Sequence, residues 1–147
     1  MQGKVCTFFG HRDCPQSIRP KLRAALIEQI ETQHVTSFLV GNEGGFDAMA
    51  QSVLHELRQV YPAISCTVVL AYLPRRPQNA DLATLFPEGI ETVPKRFAIS
   101  WRNRWMLRHA DCVIAYVAHS WGGAARFCEL ARKQGKPLWN LAGETFQ

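Results

Sequence analysis

Apolar and polar positions along this 147-residue chain follow two alternating periods. Short β-branched and aromatic runs predict buried strands, and apolar residues spaced at i, i+3, i+4 and i+7 predict the helices between them. The clearest helical pattern begins at Phe46 and ends before Pro62. The other predicted elements are strands at Lys4–Phe9, Val35–Val40, Ile64–Leu73, Cys112–Val117 and Pro137–Leu141, and helices at Ser17–Gln33, Lys95–His109 and Ala124–Gln134.

This alternation of strands and helices predicts an α/β fold. Right-handed crossovers between successive strands give a five-stranded parallel sheet with helices on both faces. We expect residues 1–147 to form a single domain. In such sheets ligands bind beyond the carboxyl ends of the strands, where the strand order reverses.

Two glycine-rich turns fall at that edge, each between a predicted strand and a predicted helix. They are Gly41-Asn42-Glu43-Gly44-Gly45 and Trp121-Gly122-Gly123-Ala124-Ala125. A turn without side chains allows backbone N–H groups and a helix N-terminus to close on an anion. We therefore expect a bulky residue at Gly44 or Gly123 to abolish ligand binding and to leave the fold intact.

The exit of the first strand, Gly10-His11-Arg12-Asp13, brings a cation, an imidazole and a carboxylate together. Arg12 is suited to bidentate contacts with a phosphate. The alternative is that Arg12 and Asp13 pair with each other and cap the next helix. His11 has no second ligand at metal-binding spacing, so we expect no metal.

Residues 74–94 interrupt the pattern with a long segment that contains four prolines and begins near Arg75 and Arg76. A connection of this length exceeds the usual β-to-α loop and is typical of either a lid over the site or a surface excursion. Both interpretations stay open.

The third predicted helix places Arg102 on the same arc as Trp101, Trp105 and Met106. A guanidinium there either meets a carboxylate in the core or faces the cleft and contacts a ligand phosphate. We expect Arg104 and Arg108, toward the other margin, to be ordinary solvated charges.

Composition narrows the class of protein. No apolar stretch reaches the length of a membrane span, and five cysteines without a C-x-x-C pair fit a reducing compartment, so we expect a cytoplasmic protein with no membrane partner. The net charge of +5 favours anionic ligands. Because the basic residues are scattered, we do not expect nucleic acid as a partner.

Four blocks carry a resemblance to a known family: Cys6 to Arg12, Gly41 to Ala50, Arg102 to Met106 and Trp121 to Phe127. Together they resemble the YpsA-like branch of the SLOG superfamily across nearly the whole chain. The resemblance implies a Rossmann-like fold. It also implies binding of a nucleotide or nucleotide-derived ligand, such as ADP-ribose, cyclic ADP-ribose or an NAD-like compound, by a sensor, carrier or sequestering module used in signalling.

The enzymatic relatives in this superfamily are the LOG-type phosphoribohydrolases, which are N-glycosidases. Residues 122–129 match the glycine pair and the terminal glutamate of the LOG signature, with Ala125 and Arg126 in place of its third glycine and its threonine. The resemblance places Arg102 at the position of the catalytic arginine, and Glu129 would stabilise the ribosyl cation or activate water. Whether the chain is an enzyme stays open.

Our main hypothesis from the sequence is a nucleotide-ligand-binding module without a cofactor. The alternatives are the phosphoribohydrolase, with Arg102 and Glu129 catalytic, and a single-stranded nucleic-acid binder that uses Arg12, Arg75, Arg76 and Arg126. A homo-oligomer is an open alternative. The expected ligand-binding residues are Gly10, His11, Arg12, Asp13, Gly41, Asn42, Glu43, Gly44, Gly45, Asp47, Tyr72, Arg75, Arg102, Ser120, Trp121, Gly122, Gly123 and Ala124.

Overall fold

Six parallel strands form the sheet in the computed structural model, which describes residues 3–73 and 82–143. The α/β class is confirmed, with six strands rather than five. The strands are β1 (Lys4–Gly10), β2 (Val35–Val40), β3 (Ser65–Val69), β4 (Ala83–Leu85), β5 (Cys112–Tyr116) and β6 (Leu138–Asn140). The helices are α1 (Arg19–Glu31), α2 (Gly45–Val60), α3 (Ala98–His109) and α4 (Gly123–Lys133).

The strand order is β4-β3-β2-β1-β5-β6, so the order reverses between β1 and β5. These two strands are in direct register, with Cys6 opposite Cys112 and Gly10 opposite Tyr116. Their carboxyl ends therefore meet at the switch point, where an α/β sheet opens a crevice.

Alternation along the central strands divides the core between the two faces of the sheet. Cys6 and Phe8 of β1 pack in the cluster that contains residues of α1 and α2, whereas Phe9 packs with residues of α3 and α4. Both faces of β1 are therefore buried, which explains its nearly continuous apolar sequence.

The end of β1 is pressed against the start of α2. An added Cβ at Gly10 would lie 2.1 Å from the Phe46 ring, closer than any side chain tolerates. The same ring packs edge-on against Phe8, with centroids 6.4 Å apart. Position 10 therefore accepts only glycine at this spacing of strand and helix.

The segment predicted as a proline-rich loop contributes the sixth strand. Its described part, 82–94, contains β4 at the edge of the sheet and buries Leu82 and Ile90. Leu70 donates its backbone N–H to Leu85 O at 2.8 Å, next to the β3–β4 pairing. The rest of the suggested lid, residues 74–81, lies outside the described residues.

Among the helices that the structure describes, none combines the length and apolarity needed to cross a membrane.

Candidate functional site

A cleft of about 660 Å³ lies at the switch point, beyond the carboxyl ends of β1 and β5. The residues that directly follow β1 form one wall of the cleft. The start of α2 and one side of α3 form the second wall, and the connection from β5 to α4 forms the third. Of the expected site residues, those that line the cleft are Gly10, His11, Arg12, Asp13, Glu43, Asp47, Arg102, Trp121, Gly122, Gly123 and Ala124.

The other expected residues lie elsewhere. Tyr72 donates its hydroxyl to Lys95 O at 2.6 Å and does not line the cleft. Glu129 is exposed, pairs with Arg132 at 3.7 Å and is likewise absent from the lining, so the two catalytic residues of the hydrolase alternative are not brought together. Arg75 lies outside the described residues. The expected residues outside the lining also include Gly41, Asn42, Gly44, Gly45 and Ser120.

The turn at residues 41–45, which we call the first turn, and the start of α2 bond several of their N–H groups to acceptors within the chain. Gly45 and Phe46, at the start of α2, donate their backbone N–H groups to Arg12 O at 2.8 Å and His11 O at 3.3 Å. Glu43 donates its N–H to Asp47 Oδ2 at 3.0 Å. These donors are therefore already engaged by the protein's own acceptors.

Asp47 is the third residue of α2 and supplies the negative charge that a helix N-terminus favours. It is 8% exposed. Burial raises its pKa to about 6, although Arg102 and the hydrogen bond from Glu43 act in the opposite direction. Desolvation therefore outweighs the attraction of its cationic neighbour.

Arg102 forms the floor of the cleft and is only 2% exposed. Its Nη1 donates to Val69 O at 2.9 Å, and its Nε donates to Asn103 Oδ1 at 2.9 Å. Burial lowers its pKa, while the neighbouring Asp47 carboxylate opposes that shift. The guanidinium stays charged. Because it joins α3 to the end of β3, its contacts are those of a residue that organises the floor.

The turn at residues 121–125, which we call the second turn, is open. An added Cβ at Gly122 or Gly123 would meet nothing within 4 Å. Arg126 begins the helical hydrogen bonding by donating its N–H to Gly122 O at 3.1 Å. Within the described residues, no acceptor is bonded to the first N–H groups of α4, and its first turn carries no carboxylate. This helix N-terminus therefore faces the cleft with its donors exposed.

Three aromatic rings form a continuous stack above the second turn. The rings of His11 and His119 lie 3.7 Å apart at 11°, and those of His119 and Trp121 lie 3.8 Å apart at 17°. Trp121 ends the stack and is 68% exposed, while the Tyr116 ring meets His11 edge-on at 5.9 Å. The outer indole ring is therefore held in place and exposed to solvent.

Hydrogen bonds fix the two imidazoles in the stack. Ala118 donates its N–H to His11 Nε2 at 2.9 Å, so that nitrogen must be unprotonated. His119 Nδ1 lies 3.0 Å from Trp121 O, which is an acceptor, so Nδ1 carries the proton there. Burial and the nearby His119 lower the pKa of His11, and Asp13 opposes this shift. The stack is therefore built from a neutral His11.

Arg12 and Glu43 pair across the mouth of the cleft at 3.8 Å, so Arg12 is not paired with Asp13 as one alternative suggested.

Sequence reasoning missed His119, Asn103 and Met106, which also line the cleft. The signal for His119 in the sequence was its position two residues before Trp121, at the start of the second glycine-rich turn. Within the described residues, no group of three or more His, Cys, Asp or Glu side chains could hold a metal ion.

No protein-family model matches this chain, and no curated protein matches it. Solved structures that share its fold include two DNA processing proteins. DNA processing protein A from Helicobacter pylori superposes with a TM-score of 0.63 at 16% identity, over 92% of this chain and 64% of that one. DprA from Streptococcus pneumoniae superposes with a TM-score of 0.68 at 17% identity, over 97% of this chain and 51% of that one.

These similarities establish the fold and no more, and this chain spans less than two thirds of either protein. They fit a Rossmann-like fold, whereas the YpsA-like branch of the SLOG superfamily is not confirmed. They contradict two expectations, the small nucleotide-derived ligand and the absence of a nucleic-acid partner. The Helicobacter pylori protein is described by its single-stranded DNA binding mode.

Proposed function

We propose that this chain binds single-stranded DNA in the switch-point cleft, with Trp121 as the stacking platform for a base. The observation that carries the proposal is the His11–His119–Trp121 stack, which ends in a 68% exposed indole beside the open N-terminus of α4. The fold shared with a protein described as binding single-stranded DNA supports it. We also propose a common ancestry with the YpsA-like SLOG proteins, and the DNA-binding proposal does not depend on it.

The ring stack suits an unpaired base. A base exposes a π-face only when it is not stacked inside a duplex, and stacking on an aromatic side chain tolerates any of the four bases. His119 already covers the inner face of Trp121, so one outer face is left for the ligand. Because the indole is held by its neighbours, little side-chain freedom is lost when a base docks.

The charges in the cleft orient the strand. Glu43 and Asp47 lie on the α2 side, where their carboxylates repel a phosphate. The N-terminus of α4 offers backbone donors and the positive end of a helix dipole on the opposite side. The phosphate next to the stacked base is therefore expected against Gly123 and Ala124.

The test compares two tryptophan variants for binding of fluorescently labelled oligothymidylate, measured by anisotropy. Trp121→Ala removes the platform, and we expect binding to weaken by about 5- to 150-fold, since a stacked base contributes ~1–3 kcal/mol. Trp139→Ala is the matched control, because Trp139 is a 36% exposed tryptophan on β6 that does not line the cleft.

A duplex of the same length is the second control, and we expect it to bind more weakly because its bases are already stacked. Equal losses in the two tryptophan variants, or equal affinity for the duplex and the single strand, would contradict the stacking site. Absence of binding to any oligonucleotide by the wild-type chain would contradict the proposed function itself.

A further inference from the structure

A row made of one serine and two arginines lies along α3 beside the cleft. Ser100, Arg104 and Arg108 follow one another at intervals of four residues, which places them along one side of the helix about 6 Å apart. Arg126 of α4 joins this row, since its Nη2 donates to Ser100 Oγ at 3.2 Å. We call these four residues the α3 ridge.

The ridge borders the cleft directly. Ile99 and Asn103, the residues that precede Ser100 and Arg104, line the cleft. Ala124, two residues before Arg126, lines it from the other side. A strand that leaves the cleft over α3 would therefore meet the ridge.

Helix α3 carries three arginines and no carboxylate along its whole length. Two arginines four residues apart repel each other, and an isolated helix would normally relieve this with an acidic neighbour at the same spacing. In the described part of the chain, none of Arg104, Arg108 and Arg126 forms an ion pair with a carboxylate. No carboxylate in the described part of the chain therefore neutralises the positive charge on this face.

We infer that the α3 ridge is an extension of the binding site that holds the phosphate backbone of a single strand after it leaves the cleft. This rests on the proposed function. Spaced guanidinium groups along a helix can contact successive phosphates without reading bases. The ridge would therefore add affinity for longer strands and strengthen the salt dependence, without adding sequence preference.

The experiment compares oligothymidylates of about four and about sixteen nucleotides, which span the range of sizes for single-stranded sites. The test variant is Arg104→Gln with Arg108→Gln. The matched control is Lys21→Gln with Arg23→Gln, two exposed cations on α1, which packs on the other face of the sheet. All four positions are exposed, and circular dichroism melting verifies that each variant is folded.

We expect the test variant to bind the longer strand about tenfold more weakly at low salt, with the slope of log K against log salt reduced by about 1.4. The short strand should bind as it does to wild type, and the control variant should match wild type for both strands. Replacing both arginines by lysine should restore most of the slope, because the charge is kept.

The outcomes separate the two proposals. If wild type binds both strands and the test variant keeps the full affinity and slope for the longer one, the ridge is overturned and the cleft site stands. Equal weakening of the short and long strands also overturns the ridge as an extension. If wild type binds neither strand, the proposed function fails and the ridge fails with it.

Discussion

The two glycine turns have nearly the same backbone and opposite surroundings. Gly44 precedes α2 with φ 98° and ψ −175°, and Gly122 precedes α4 with φ 96° and ψ 173°. Around Gly44 the chain packs closely, since an added Cβ would lie 2.7 Å from Arg12 Cγ. Around Gly122 an added Cβ would meet nothing within 4 Å. The same sequence signal therefore marks two different environments.

The difference lies in what satisfies each helix N-terminus. The first turn receives acceptors from the protein itself, the carbonyls of His11 and Arg12 and the carboxylate of Asp47. Asp47 stands three residues after the capping glycine of α2, and the residue at the same position in α4 is Ala125. A glycine-rich turn thus indicates that backbone donors are accessible, but the neighbouring loop decides whether a ligand or the chain itself uses them.

The largest expected effect comes from adding one methyl group to each turn. In Gly45→Ala the new Cβ would lie 2.4 Å from Arg12 O, so we expect a loss of about 3 kcal/mol in the free energy of unfolding. In Gly123→Ala the methyl group meets no neighbour, and we expect a change below about 1 kcal/mol. Urea unfolding of the two variants measures both values.

Similar stabilities for Gly45→Ala and Gly123→Ala would contradict the distinction between the turns. The structure also revises the expectation that a bulky residue at Gly44 leaves the fold intact. Gly44 has a positive φ, and a Cβ added there would lie 2.8 Å from the Cα of Arg12. A side chain at this position therefore disturbs the backbone that follows β1. For Gly123 the expectation is unchanged.

A smaller effect is expected from the pH dependence of Asp47, the carboxylate at the start of α2. The folded state holds the proton of Asp47 up to about pH 6, whereas the unfolded chain releases it near the ordinary value of 3.8. Between these values the folded state binds more protons, so stability falls as pH rises from about 4 to about 6. The group accounts for on the order of 2 kcal/mol of this decrease.

Asp47→Asn should remove that part of the decrease, because the amide does not titrate. The measurement is the free energy of unfolding at several pH values for wild type and variant. The comparison uses the slope between pH 4 and 6 rather than the stability at one pH, since the amide also leaves Arg102 without its anionic neighbour. Parallel curves for wild type and Asp47→Asn would show that folding does not raise the pKa of Asp47.

The smallest expected effect converts the second turn into a copy of the first. Ala125→Asp places a carboxylate at the position in α4 that Asp47 holds in α2. We expect it to stabilise the fold by about 0.5 kcal/mol and to weaken binding of single-stranded DNA about tenfold, because it occupies the donors and repels phosphate. Ala125→Asn controls for size without charge. Unchanged DNA affinity in the aspartate variant would remove the α4 N-terminus from the site.

The sequence predicted the elements with strong periodicity. The strand Val35–Val40 has the bounds that were expected, and the long helix after Gly44 carries its apolar face into the core as its spacing indicated. The carboxyl-edge location of both turns also follows from the order of strands and helices. These features depend on local spacing and on the topology of parallel sheets, which a single sequence contains.

Features that depend on packing between distant segments were not predictable. Strand β4 is a three-residue edge strand whose side chains are all exposed, so it has no apolar pattern to detect. The His11–His119–Trp121 stack joins two loops that are more than a hundred residues apart in sequence. The closure of the first turn depends on the backbone of Arg12, and no residue type encodes that contact.

The contact between Gly10 and the Phe46 ring also limits how this sequence can evolve. Any side chain at position 10 requires a smaller residue at position 46 at the same time, and either change alone disrupts the joint between β1 and α2. Substitutions at Gly123 meet no such barrier. Descendants of this chain can therefore diversify the β5–α4 wall of the cleft one mutation at a time while the joint between β1 and α2 stays fixed.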